Sequence, residues 1–319
     1  MRVLVTGGFG FIGSRLALYL LSMGHTVRLG ARLAQANRLS WLSGAEVFET
    51  DWNNVSSLKK ACDGVDVVIH CSGMNASDSL ANPGGAFELN GNATARLFKA
   101  ANQLGVRRFI YLSTAHVYSS PLVGEINETT QPSNTHPYAT SHRAGELAVL
   151  DISRDMKIKG LVVRLSNVFG SPANENANCW DLFTNNICWQ AVKSGVIHIR
   201  SNPAQQRDFI PMGDVCGTLE ALACYSGNSL DCQIFNVGSG KSRSLLDMAS
   251  LIRSRCEYLL GFKPKLKLTY QGEEISHSIQ LDFKVEKLTS LNMIKTSDPI
   301  TELDQLILFC RDNIVPYKG

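Results

Sequence analysis

No stretch of the 319-residue sequence stays apolar for the ~18 residues that a membrane-crossing helix requires. The N-terminus passes from one basic residue straight into Val3-Leu4-Val5-Thr6-Gly7, without the cleavage pattern of a secretory leader. Charge of one sign is also scarce: 31 Lys and Arg against 28 Asp and Glu leave +3, with no basic cluster suited to nucleic acid or a membrane surface. Nine cysteines, at 62, 71, 179, 188, 216, 224, 232, 256 and 310, form no Cys-x-x-Cys pair and no Cys/His run with zinc spacing. These absences lead us to expect a reduced, cytoplasmic chain with no nucleic-acid, membrane or metal partner. Internal repeats and low-complexity tracts are lacking as well.

A hydrophobic fraction of 44% with 18% charged residues is ordinary for a globular chain and excludes a disordered or fibrous one. At ~150 residues per domain the length suits about two domains. Short apolar or β-branched runs, Val3 to Val5, Thr26 to Leu29, Val47 to Glu49, Val65 to His70, Phe109 to Leu112 and Leu161 to Leu165, read as strands. Amphipathic stretches at Phe11 to Met23, Ala86 to Leu104 and Tyr138 to Met156 read as helices between them. This alternation predicts an α/β fold, a parallel sheet covered on both faces. The rhythm breaks near Ser171, where Pro, Asn, Trp180 and Trp189 enter, and Gln233 to Val237 reads as a return to the sheet.

The first strand leads into Gly7-Gly8-Phe9-Gly10-Phe11-Ile12-Gly13, followed by a helical run. Gly7 suits a tight turn, Gly10 lets backbone approach a pyrophosphate, and Gly13 permits close packing. Phe11 and Ile12 open a helix whose free N–H groups face the anion. The second strand ends Arg28-Leu29-Gly30-Ala31-Arg32, without the acid that takes the ribose hydroxyls of NAD. Gly30 and Arg32, helped by Arg38, favour a 2′-phosphate, so NADP is expected, with NAD as the other cofactor. Asp51 and Trp52 are expected at the adenine, and Cys71, Ser72 and Gly73, after the fourth strand, along the cofactor. His70 reads as a strand-end core residue.

Two further segments matter: Ser113-Thr114-Ala115-His116-Val117-Tyr118, and Tyr138-Ala139-Thr140-Ser141-His142 at a helix start. With the glycine turn, Asn90-Gly91-Asn92, Arg164 to Gly170, Gln206 to Ile210, Phe235 to Gly240, and Leu281-Asp282-Phe283-Lys284 through Leu291, they resemble an extended short-chain dehydrogenase/reductase of the branch that modifies nucleotide sugars. The resemblance covers nearly the whole chain. It implies a Rossmann-type doubly wound parallel sheet with a smaller C-terminal substrate-binding subdomain. The dinucleotide domain would take 1–170 and about 214–240, and the substrate part about 171–213 and 241–319.

The resemblance also implies that Tyr138 exchanges a proton with the sugar oxygen, that Thr114 steadies that oxygen, and that Asn90 lies at the cofactor. Where the family has a Lys one turn after the Tyr, this chain has His142. Residues four apart share a helix face, so His142 can reach Tyr138 and the cofactor ribose, whereas Arg143 points roughly 140° away. To replace an ammonium, the imidazole must be charged while Tyr138 is deprotonated, so either a nearby acid keeps His142 protonated or proton transfer is less strongly driven. The substrate implied is a nucleotide-diphosphate sugar, with Arg207 forking onto its phosphates and with Asn167, His116 and Thr114 on the substrate side. Ala115-His116 stand where the family's 4,6-dehydratases carry an acid, which favours a 4-epimerase or 4-ketoreductase. The alternative is a dinucleotide-binding member without turnover, acting as a sensor or scaffold. A homodimer through helices 86–104 and 138–156 is expected by the same resemblance.

Overall fold

Strands apolar on both faces need cover on both, and the chain supplies it by alternating strand and helix. The computed structural model describes residues 1–31, 42–153, 157–227, 230, 233–270 and 280–313. Its first half runs β1 (Arg2–Thr6), α1 (Phe11–Ser22), β2 (Thr26–Ala31), β3 (Glu46–Glu49), α2 (Val55–Cys62) and β4 (Val67–His70). Then come α3 (Ala76–Ala81), α4 (Pro83–Ala86), a π-helical segment (Phe87–Ala93), α5 (Thr94–Gln103) and β5 (Arg108–Thr114). After a 3-10 turn (Ala115–Val117) follow β6 (Gly124–Ile126), α6 (Pro137–Ser153), β7 (Lys159–Leu165) and β8 (Asn167–Phe169). The remainder holds α7 (Phe183–Ser194), β9 (Val196–Ile199), β10 (Gln206–Pro211), α8 (Met212–Cys224), β11 (Gln233–Val237) and β12 (Ser242–Ser244). It closes with α9 (Leu245–Leu260), β13 (Lys265–Leu268), β14 (Leu281–Phe283), α10 (Glu286–Thr289) and α11 (Pro299–Asn313).

The seven-stranded sheet has the order β11-β7-β5-β4-β1-β2-β3, with every pairing parallel. After β3 the chain crosses back to place β4 on the other side of β1. The order therefore reverses at β1/β4, where the carboxyl ends of the strands open a crevice. Thr6 stands opposite Gly30 on one side and His70 on the other, so the glycine turn emerges beside Cys71–Gly73.

Alternate strand residues feed opposite cores. Val3, Val5, Ile69, Ile110 and Val163 pack with Leu16 and Leu20 of α1 and Val215 and Leu219 of α8. Leu4, Val68, Phe109, Tyr111 and Val162 pack with Leu58 of α2, Phe98 of α5 and Val149 of α6. A third core joins α7, β9, α9 and α11 through Ile187, Ile197, Ile252 and Leu306. Among the described residues, no helix is long and apolar enough to cross a membrane.

The expected strands are present, although β4 begins at Val67 rather than Val65. The expected helix from Ala86 to Leu104 is instead broken into α4, the π segment and α5. Asn90 explains the break. Its side chain binds the Met74 N–H and Ser141 Oγ, its carbonyl accepts from the Thr94 hydroxyl, and the Tyr111 hydroxyl lies 3.2 Å from that carbonyl. The helix ending at 156 is described to Ser153.

Glu302, buried in the first turn of α11, accepts both Arg15 guanidinium nitrogens (2.9 and 3.1 Å) and the N–H groups of Ser171 (3.3 Å) and Gly213 (3.2 Å). Gly170, at φ 151°, leaves the space that this carboxylate fills; a Cβ there would collide with it. The last helix is thus clamped to α1 and to the ends of β8 and β10. Removing one partner of a buried pair strands the other charge, so Glu302→Ala should lose about 3 kcal/mol of stability. An unchanged urea midpoint in that variant would contradict the clamp.

Candidate active site

The glycine turn is shaped by contacts that side chains would obstruct. Gly7 has φ 64°, and a Cβ on it would lie 2.9 Å from the Ser72 nitrogen. A Cβ on Gly13 would strike the Gly7 carbonyl, so its close packing is against the turn itself. Gly10 ends the turn with its N–H on the Gly7 carbonyl (2.8 Å) and starts α1. Phe11 and Ile12 follow in a first turn that has neither an acid nor a capping side chain. That bare helix N-terminus, at the β1/β4 crevice, fits a dinucleotide pyrophosphate.

Gly30 has a different reason from the expected one. Its Cβ would meet Thr50 Oγ1 at 2.9 Å, so the space it leaves is taken by the protein. Arg32 and Arg38 lie outside the described residues. Asp51 is exposed beyond β3, and half-buried Trp52 sets its ring edge-on to His70 at 5.5 Å. The Cys71 thiol is pushed up by burial and is no nucleophile.

The strand β5 delivers Thr114 and α6 delivers Tyr138 and His142. The Thr114 side chain lies within interaction range of Tyr138, whose ring meets His142 edge-on at 4.6 Å. Burial raises the Tyr138 pKa, and Thr114 opposes it. His142 is buried, and its Cε1–Nε2 edge faces Gly73: a Cβ there would lie 3.5 Å from Cε1 and 3.7 Å from Nε2. Gly73, Asn90, Tyr138 and His142 thus converge where a ribose and nicotinamide would pass.

The acid called for beside His142 is Glu146, one turn further along α6, yet its charge is already taken up. Arg164 binds it in a fork (2.9 and 2.7 Å), Ser113 donates at 2.6 Å and Arg143 at 2.6 Å. Arg164 is held in turn over the Tyr118 ring. Burial therefore wins over the pull of Glu146 and draws the His142 pKa down to about 4. Burial thus favours a neutral His142 near pH 7, the alternative in which proton transfer is less strongly driven than with a lysine.

His116 lies within interaction range of Asn167, Arg207 and His136. Asn167 donates to the Asp208 carbonyl (3.0 Å). The Arg207 guanidinium lies over the Phe183 ring at 5.6 Å and borders a cleft of about 540 Å³ with Trp189, Gln190, His198 and Arg200. Sequence reasoning missed Glu146, Tyr111 and His136, whose Nδ1 accepts the Tyr138 N–H at 3.2 Å.

Residues 3–238 match the model of the NAD dependent epimerase/dehydratase family. The chain belongs to that family. Within it, the sequence is 28% identical over 273 residues to a UDP-glucose 4-epimerase of Neisseria meningitidis serogroup C, covering 77% of this chain and 80% of the relative. It is 27% identical over 306 residues to a dTDP-D-glucose 4,6-dehydratase of Mus musculus, covering 91% and 83%. The structure of a Bacillus cereus UDP-glucuronic acid 4-epimerase with UDP-glucuronic acid and NAD superposes with a TM-score of 0.81 at 22% identity, covering 98% of this chain and 99% of that one. Epimerases and dehydratases of the family thus share this Rossmann-like architecture.

Three imidazoles are held neutral, those of His70 and His142 buried and that of His116 half-buried. His70 sits between Thr6 (2.6 Å) and Thr94 (3.0 Å) with its pKa drawn down to about 3, and His116 and His142 are drawn down to about 4, burial leading in each. Unfolding frees them to protonate near pH 6.5. The stability they carry is therefore complete above that pH and lost as pH falls towards 4, at about 1.4 kcal/mol per pH unit for each. Urea midpoints between pH 7 and 4.5 should fall steeply, and His116→Gln should shallow the slope; a flat profile would refute these neutral histidines.

Proposed function

We propose that this chain catalyses NAD(P)-dependent hydride transfer at C4 of the sugar of a nucleotide-diphosphate sugar, as a 4-epimerase or 4-ketoreductase rather than a 4,6-dehydratase. The observation that carries the reading is the placement of Thr114, at the end of β5, beside Tyr138 of α6, followed by buried Ala115 and by a His116 imidazole that desolvation keeps neutral. Eliminating water from a 4-keto sugar needs an acid and a base beside C5 and C6. Ala115 and His116 supply no charged group, and Glu146 is committed to Arg164, Arg143 and Ser113.

A bound dinucleotide supplies the hydride acceptor and donor. Tyr138 takes the proton of the C4 hydroxyl as the ketone forms and returns it on reduction, while Thr114 holds the same oxygen. In a 4-epimerase the proton and hydride come back with the ketone turned over; a 4-ketoreductase runs only the reducing half with NADPH. Neutral His142 contributes a hydrogen bond at the ribose instead of a fixed charge, so Tyr138 acts with less electrostatic help than a lysine would give.

Arg207 takes the diphosphate, with Asn167 and His116 beside it, and the cleft at Phe183, Trp189 and Arg200 suits a flat base and anionic oxygens. The proposed substrate part, about 171–213 and 241–319, holds this cleft, and the dinucleotide part takes 1–170 and about 214–240. Gly10, Phe11, Ile12 and Gly13 cradle the pyrophosphate, with Asp51 and Trp52 at the adenine. NADP is favoured because β2 ends without an acid and Arg32 follows. Exposed Leu80, Phe87 and Leu147, on α3, the π segment and α6, support a homodimer through that face.

Turnover of a nucleotide-sugar panel tests the reading. Tyr138→Phe should lower kcat by about 10²-fold or more, and Arg207→Ala should raise the sugar KM at least tenfold while leaving dinucleotide affinity unchanged. Equal stoichiometry of dinucleotide and product marks a ketoreductase; catalytic dinucleotide marks an epimerase. A 4-keto-6-deoxy product would overturn the assignment, and absence of all turnover would favour the sensor or scaffold. NADP should bind more tightly than NAD, and Arg32→Ala should abolish that preference; equal affinities in the parent would remove the 2′-phosphate site.

A further inference from the structure

A hydrogen-bonded chain of buried side chains runs from Thr6, at the end of β1, to His142. Thr6 Oγ1 meets His70 Nδ1 at 2.6 Å, and His70 Nε2 meets Thr94 Oγ1 at 3.0 Å. Thr94, whose hydroxyl also reaches Tyr111, donates to the Asn90 carbonyl at 2.7 Å. The Tyr111 hydroxyl lies 3.2 Å from that carbonyl and 3.1 Å from His142 Nδ1. Two local departures from regular structure bring these groups together. The π segment turns the Asn90 carbonyl towards β5. Gly145 in α6 gives Tyr111 its place, since a Cβ there would sit 2.5 Å from the phenolic oxygen.

We propose that Tyr111 is the positioning residue for His142: its hydroxyl donates to Nδ1 and holds the imidazole in the Nε2–H form, so that this N–H points to the dinucleotide ribose. Resting on the function proposed above, this says how a histidine does a lysine's work. The proton assignment follows from the network. Tyr111 has one proton and two acceptors within reach, Asn90 O and His142 Nδ1. The carbonyl already accepts Thr94 at the shorter distance, whereas an imidazole nitrogen is a strong acceptor. With Nδ1 accepting, a neutral ring carries its hydrogen on Nε2, on the edge facing Gly73. A lysine carries three donors on a flexible stem and needs no such partner. The imidazole has one, and it is useful only if the tautomer and the ring plane are fixed.

The test is a double-mutant cycle with Tyr111→Phe and His142→Lys. Tyr111→Phe keeps the ring that packs on β4, and Thr94 still serves the Asn90 carbonyl. In the His142 background it should lower kcat/KM roughly tenfold to a hundredfold through misplacement of the dinucleotide. In the His142→Lys background the same change should cost less than about twofold, because the ammonium does not depend on Nδ1. Equal losses in both backgrounds would show general packing and overturn the proposal. Nitrogen NMR of histidine-labelled protein provides a readout independent of turnover. His142 should show Nε2–H in the parent and a mixture of tautomers in Tyr111→Phe, while Nδ1–H in the parent would also overturn it. If no nucleotide sugar is turned over at all, the proposed reaction fails, and the NMR result still decides the role of Tyr111.

Discussion

The buried pair between Glu146 and Arg164 sets both the geometry and the protonation of the site. Taking a carboxylate and a guanidinium out of water is costly, and here the penalty is offset by the fork from Arg164 with further bonds from Ser113 and Arg143. Because Arg164 rises from β7 and Ser113 from β5, the carboxylate fixes the rotation and height of α6 on the sheet. Two residues of that helix, Tyr138 and His142, are thereby aimed at Thr114 and Gly73. The pair also spends its charge internally. A free Glu146 would draw a proton onto the imidazole one turn away; a neutralised one leaves burial to decide.

Most of the fold was legible because it is written in local pattern. Val67-Val68-Ile69 reads as a doubly buried strand, and the glycines at 7, 10 and 13 read as a phosphate turn, since each rests on constraints within a few residues. The partners of buried polar groups leave no such trace. Glu146 and Arg164 are 18 residues apart, Tyr111 and His142 31, and Arg15 and Glu302 287. Nothing in periodicity pairs them. The choice left open for His142 has this origin: the departure from Lys was visible, but whether an adjacent acid would charge the ring depended on arginines whose approach only the fold determines. The π segment was hidden likewise, because an amphipathic stretch has nearly the same pattern whether one carbonyl is diverted or not.

The polar chain from Thr6 to His142 ties the strand before the glycine turn to the helix that carries Tyr138. It passes through threonine, histidine and tyrosine groups, each of which finds a partner within the interior, the arrangement in which buried polarity specifies one packing instead of weakening it. The π segment and Gly145 are both needed for it: one frees a carbonyl and the other leaves room for a phenol. Each is a local departure from the most stable helix, retained where three elements meet around the candidate site.

The clamp between Arg15 and Glu302 has a consequence for the order in which the molecule is completed. With synthesis at about 5–20 residues per second, the 287 positions between them correspond to about 15 to 60 seconds. Throughout that interval the nascent chain has its cofactor-loop helix but not the carboxylate that neutralises its guanidinium. The central sheet can assemble on the ribosome, its seventh strand ending at Val237, while α1 waits for the last helix. Premature termination between Val237 and residue 302 would leave the central sheet complete and the Arg15 charge unanswered.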